Sequence, residues 1–273
     1  MATTPQRSVR PDLSALWLPL LRDLTERFPG WTVWKNPESA FDGPGDIDSL
    51  APREQWDSIE RVFKTWAKDN GFRPTIVCRH VPQGPHFITV VHPWPHMLIL
   101  DVKELSTWRG STLIDHRRAG QVSEVGHDGF RRIRPGAEGV AKLLLNGVLP
   151  GGRKNEKGLE AKRVQTLLVS DPEGAELALG WVGPVSGTLR RGIDAYLGGG
   201  WDRQAMLTIE VFCTLRSLGE PRTAVSRLRF KRAIKQCDIL QSVRKRHRAI
   251  PDDAQQWYRE ISVNHEVDLD PSD

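Results

Sequence analysis

Cysteine is scarce in this chain, and the three present, Cys78, Cys213 and Cys237, lie far apart at no metal-ligand spacing. An odd, sparse set makes no disulfide framework and suits a reducing compartment. Long apolar runs are missing as well. Nothing approaches the ~20 residues that a membrane span requires. No apolar stretch follows the basic residues of MATTPQRSVRPDL to make a signal peptide. The expectation is a cytoplasmic protein with no membrane partner. The P-loop, G-x-G-x-x-G, G-x-S-x-G and H-E-x-x-H patterns are also absent, which removes the commonest phosphate-loop, dinucleotide, serine-hydrolase and zinc-protease signatures. There is no internal repeat and no low-complexity tract, and no feature of the pattern specifies an oligomeric state.

What remains is the composition of a soluble globular protein, 38% hydrophobic and 27% charged over 273 residues, enough for one large domain or two modest ones. The net charge of +5 is unevenly spread. Residues 216–248 hold eleven Lys and Arg against two acids, Glu220 and Asp238, so this segment carries +9 and the remainder −4. Within 222–246, Val225, Leu228, Phe230, Ile234 and Cys237 form one apolar stripe at helical spacing, while Arg227, Lys231 and Lys235 recur on another face. A basic stripe on a mildly acidic body can steer a phosphate-rich partner, with RNA the candidate; a solvated helix face is the alternative.

Hydrophobic spacing predicts a helix over 12–28, with Leu13, Leu16, Trp17, Leu20, Leu21, Leu24 and Phe28 on one face. A strand follows at 31–35, then a Pro- and Gly-rich turn, a strand at 46–50 and a helix over 52–69. Three further runs, 75–81, 86–92 and 96–102, read as strands, the first two as a hairpin. After about residue 126 the pattern turns helical at 136–149, 155–170, 203–218 and 222–246, punctuated by Gly/Pro stretches at 150–158 and 182–200. The fold class is α+β: a mixed-sheet domain over 1–125, then a helical domain over 126–273.

The chemistry-bearing feature is Gly45-Asp46-Ile47-Asp48. Alternation along a strand sends Asp46 and Asp48 to the same face. Two ionised carboxylates so close repel unless a cation sits between them, and hard oxygen ligands suit Mg²⁺ or Mn²⁺ with bound phosphates. Asp101 ends the apolar run Met97-Leu98-Ile99-Leu100, where burial without a partner would be costly. An isolated D-x-D is more often a turn; the third aspartate raises its significance. The ten tryptophans fall mostly at core positions, with Trp94 and Trp108 the best candidates to stack a base. Most histidines read as structural, although His92 and His96 could face the site. Arg131, Arg132 and Arg134 read either as a phosphate grip or as a solvated linker.

On these residues, residues 12–125 resemble the DNA polymerase β-like nucleotidyltransferase superfamily, whose core runs helix, strand, turn, strand with D-x-D, helix, then strands of which one bears a third carboxylate. The resemblance implies transfer of NMP from an NTP to a hydroxyl acceptor: RNA, protein or a small molecule. It assigns Asp46, Asp48 and Asp101 as catalytic metal ligands for two ions about 4 Å apart. Where the family has Gly-Ser or Gly-Gly before D-x-D, this chain has Lys35-Asn36, with Ser39 nearby. Lys35, Asn36, Ser39, Lys103 and Lys142 are therefore the candidate phosphate contacts. Two alternatives stand beside this. Asp101-Val102-Lys103 also reads as the D-x-K element of a PD-(D/E)xK-like nuclease, and the basic segment alone would serve a non-catalytic nucleic-acid-binding protein.

Overall fold

The computed structural model describes residues 12–35, 37–43, 45–73, 75–79, 84–91, 96–155, 161–223, 225 and 266–268. The chain begins with α1 (Ser14–Arg27), β1 (Thr32–Lys35), a single-turn α2 (Glu38–Phe41), β2 (Asp46–Leu50) and α3 (Trp56–Asp69). It continues through β3 (Thr75–Cys78), β4 (His86–Val91) and β5 (His96–Lys103). A hairpin follows, β6 (Leu105–Trp108) and β7 (Ser111–Asp115), then α4 (His116–Gln121), β8 (Ser123–Val125) and β9 (Arg131–Ile133). The rest is mainly helical: α5 (Pro135–Gly147), the two-residue strands β10 (Val148–Leu149) and β11 (Arg153–Lys154), α6 (Ala161–Ser170), α7 (Pro172–Leu179), α8 (Ser186–Leu197) and α9 (Arg203–Leu218). A last strand, β12 (Glu266–Asp268), returns to the sheet.

Eight strands form one mixed sheet in the order β12-β3-β4-β5-β2-β1-β9-β8. β2 runs parallel to β5 and β1 parallel to β9, while the other neighbours are antiparallel. The fold is α+β, as expected from the sequence. The part after residue 126 is not wholly helical, because β9 and β12 join the sheet. The boundary expected at 125 falls between β8 and β9, which are hydrogen-bonded neighbours.

One sheet face carries α1 and α3. Trp17, Leu21 and Leu24 of α1 and Ile59 and Phe63 of α3 pack with Val33, Ile47, Phe87, Leu98 and Leu100, all buried. Trp17 stacks on Trp66 with ring centroids 5.7 Å apart. Because side chains alternate along β2, burying Ile47 in this core sends Asp46 and Asp48 to the other face. On that second face a separate core joins Trp34 and Leu50 to the β6–β7 hairpin and to α5, α7, α8 and α9.

The stretch 182–200, expected as punctuation, contains α8. Leu189, Ile193 and Tyr196 are buried at helical spacing, a pattern that Gly187 and Gly192 dilute in the sequence. A Cβ on Gly192 would lie 2.5 Å from the methyl of Met206 in α9, the movable end of that side chain. Asp171 ties the helical part together. Its carboxylate accepts from Gly136 N of α5 (3.0 Å) and Gly174 N of α7 (3.0 Å), and pairs with Arg134 at 2.6 Å. No helix among the described residues is long and apolar enough to cross a membrane.

Candidate active site

Four adjacent central strands deliver one polar row. His86 of β4 is paired with Asp101 of β5, Asp101 with Asp48 of β2, and Asp48 with Lys35 of β1. Direct partners project to the same face, so the four side chains line up across the sheet. Lys103, two residues beyond Asp101, shares that face, as does Asp46, two before Asp48.

A β-bulge places Lys35. Thr32 pairs with Leu50 and Val33 with Ser49, but the register then slips so that Lys35 meets Asp48. Without the extra residue Lys35 would oppose Ile47 and project into the apolar core. Bulges re-aim side chains in this way, and a sequence does not announce them. The turn before D-x-D is equally constrained. A Cβ on Gly45 would come within 2.1–2.2 Å of the Ser39 and Ala40 backbone, so only glycine lets β2 start against α2. Ser49 Oγ then donates to the Asp101 carbonyl at 3.0 Å, locking β2 to β5.

The carboxylates are buried: the Asp101 side chain is 4% exposed and that of Asp48 8%. Lys35 Nζ lies 3.2 Å from Asp48 Oδ2 and Lys103 Nζ lies 3.6 Å from Asp48 Oδ1. Lys103 also donates to Asp101 Oδ2, whereas Asp101 Oδ1 is buried with no hydrogen-bond partner among the described residues. His86 Nε2 is 3.5 Å from Asp101 Oδ2. Desolvation pushes Asp48 up to about 6 despite Lys35 and Lys103, with Asp46 and Asp101 adding repulsion. Burial acts on Asp101 in the same direction, but His86 and Lys103 outweigh it and hold its carboxyl below the ordinary range. Asp101 thus keeps its charge, and Asp48 takes a proton first. Lys103 is held firmly protonated: burial disfavours its charge, but Asp101 and Asp48 more than compensate.

A divalent cation fits the donors here but not the resting arrangement. The oxygens are hard, and Asp101 offers an orphaned one. Among the described residues, however, no three His, Cys, Asp or Glu side chains converge as a ready cage, and the Lys103 ammonium lies between Asp48 and Asp101.

The other expected residues separate from this row. Asn36 and Trp94, with His92, lie outside the described residues, as does most of 216–248. Ser39 sits in α2, on the turn that Gly45 abuts. Lys142 is buried in α5 and lies 3.6 Å from Glu138, whose neighbour Arg163 pairs with Glu38 of α2 at 2.5 Å. Trp108 is buried in the second core and is not a stacking platform. The three arginines of β9 and its edge are internal ties. Arg131 donates to the carbonyls of Phe28, Pro29 and Trp31 at 3.1–3.3 Å, Arg132 reaches Glu38 and Asp128, and Arg134 pairs with Asp171 and Glu173. Arg216, the first residue of the basic segment, bonds the carbonyls of Thr112 and Trp181. His86, grouped in the sequence with the structural histidines, joins the row through the β4–β5 register that pairs it with Asp101.

Comparison with known protein families, with curated proteins and with solved structures finds no match to this chain.

Proposed function

We propose that the chain is a metal-dependent nucleotidyltransferase that moves an NMP group from an NTP to a hydroxyl acceptor. The observation carrying this reading is the direct pairing of Asp48 with Asp101 on adjacent parallel strands, with Asp46 on the same face. The order helix, strand, turn, strand with D-x-D, helix and a later strand with a third carboxylate supports it. Asp46, Asp48 and Asp101 would hold Mg²⁺ or Mn²⁺. Such an ion supplies charge to activate the acceptor and to neutralise the departing pyrophosphate. Lys35 is 31% exposed at the rim of the row and would bind the triphosphate, its ammonium a point charge in place of the family's Gly-Ser loop. Partly buried Lys103 and buried His86 would set the charge and orientation of Asp101. The +9 segment makes RNA the acceptor we favour, drawn in by charge.

Incubation with each α-labelled NTP, Mg²⁺ or Mn²⁺ and cell extract tests the proposal. Label should appear on one class of molecule, vanish with EDTA and vanish in Asp48→Asn. No label under any condition would refute it. A second reading has one specific support: Asp101 and Lys103 touch on one face, as the D-x-K element of a PD-(D/E)xK-like nuclease requires. Metal-dependent strand cleavage without NTP would favour that reading.

A further inference from the structure

Lys103 has an unusual position for a lysine. Its side chain is only 13% exposed, and its ammonium reaches both central carboxylates, donating to Asp101 Oδ2 and lying 3.6 Å from Asp48 Oδ1. Asp48 and Asp101 are direct partners across parallel strands, so with both ionised their charges oppose one another at close range in a poorly solvated place. A cation between them relieves this. Lys103 is tethered two residues from Asp101 on the same strand face, which makes it the nearest cation by construction. Lys35 guards only the other Asp48 oxygen, and Asp101 Oδ1 is left buried without a hydrogen-bond partner among the described residues.

We infer that Lys103 is a built-in counter-ion that occupies the divalent-cation position in the resting protein and must yield it before a metal can bind. Three observations converge on this. The ammonium sits between the two best-placed ligands, and among the described residues one buried carboxylate oxygen has no partner and no three side chains form a cage for an ion. The flexible four-carbon stem lets the ammonium swing without moving β5. Once displaced toward the open side of the row, it would face the phosphates that arrive with the metal. The inference rests on the nucleotidyl-transfer reading for that last role, but the exchange itself needs only a divalent cation. Its consequence is a protein that stays folded and charge-balanced without metal and binds metal weakly until phosphate offers Lys103 a new partner.

The test is Mn²⁺ titration of the full chain, read by electron paramagnetic resonance without nucleotide, for the wild type, Lys103→Met and Lys103→Arg. Removing a positive charge within about 4 Å of the ion should tighten Mn²⁺ binding tenfold or more in Lys103→Met. Mn²⁺ should also raise the melting temperature of that variant more than that of the wild type. Lys103→Arg keeps the charge in a fork that binds carboxylates better, so it should bind Mn²⁺ more weakly than the wild type, and it serves where Lys103→Met fails to fold. Equal Mn²⁺ affinity in the variants and wild type overturns the exchange while leaving the transferase reading intact. Absence of Mn²⁺ binding in every form, including Lys103→Met, overturns both.

Discussion

Asp48 and Asp101 stand directly opposite each other on β2 and β5, yet their protonation behaviour diverges: Asp48 is pushed up to about 6 while Asp101 is held low. Desolvation dominates at Asp48 even with two lysines beside it. Charging it therefore costs the folded state, on the order of 1–3 kcal/mol at about 1.4 kcal/mol per pK unit. A raised folded pKa favours the native state fully below the unfolded value of 3.8, and that advantage is lost as pH rises through about 6. Asp48→Asn mimics the protonated form. Its melting temperature should match wild type near pH 4 and exceed it by several degrees at pH 8, while activity is abolished. A pH-independent difference in melting temperature would refute the assignment.

Lys35 owes its place to the bulge in β1. If it binds the triphosphate equally in the ground and transition states, Lys35→Ala should raise the KM for NTP about tenfold and change kcat little. Steady-state kinetics at saturating metal decide it. An unchanged KM would leave Lys35 as a counter-ion of Asp48 alone.

Gly45→Ala adds one methyl where the Ser39 and Ala40 backbone already fills the space. The turn between α2 and β2 must shift, moving Asp46 and Asp48 together. Activity should fall at least a hundredfold, because displacement of about 1 Å is that costly to a positioned reaction. Circular dichroism should remain native in shape, with a lowered melting temperature.

Asp171 caps α7, accepts from the first turn of α5 and pairs with Arg134. Asp171→Ala leaves two backbone N–H groups without their acceptor and Arg134 with Glu173 alone; the lost cap and N–H acceptors cost about 1–3 kcal/mol. Burial pushes the Asp171 carboxyl up, but hydrogen bonds from Arg134, Gly174 and Gly136 outweigh it and hold the group below its usual range. With a depressed folded pKa, the stabilisation is present above the unfolded value and lost as pH falls through the folded one. The gap between wild type and variant in urea denaturation should be constant from pH 6 to 8 and shrink below pH 4.

Much of this arrangement was legible in the sequence, for physical reasons. Apolar periodicity marked α1, α3 and α9, because a helix packed on one side must repeat near 3.6 residues. The strands β1, β2, β4 and β5 were visible as short β-branched or apolar runs, and alternation alone put Asp46 and Asp48 on one face. Other features depend on pairing, which composition does not encode. The bulge that re-aims Lys35, the register that sets His86 against Asp101, and the presence of Lys103 between the carboxylates are all relations between strands. Helix α8 was hidden because Gly187 and Gly192 dilute its pattern, although Leu189, Ile193 and Tyr196 still repeat at helical spacing. Arg131 and Arg134 looked like free charge, whereas they are consumed on carbonyls and acids within the fold.

The parallel pairing of β2 with β5 also sets an order of events in time. Asp48 and Asp101 are fifty-three positions apart, and β1 meets β9 only after about a hundred residues. The antiparallel pair β4–β5 is local and closes quickly, whereas joining β5 to β2 requires closing a long loop that contains α3. During synthesis the D-x-D strand therefore emerges well before β5 and Lys103, with Lys35 the one of Asp48's two lysines already in place. A chain arrested before residue 96 therefore carries Asp46 and Asp48 without the strand that pairs with them, while the still longer closures of β1 with β9 and of β12 with β3 come later.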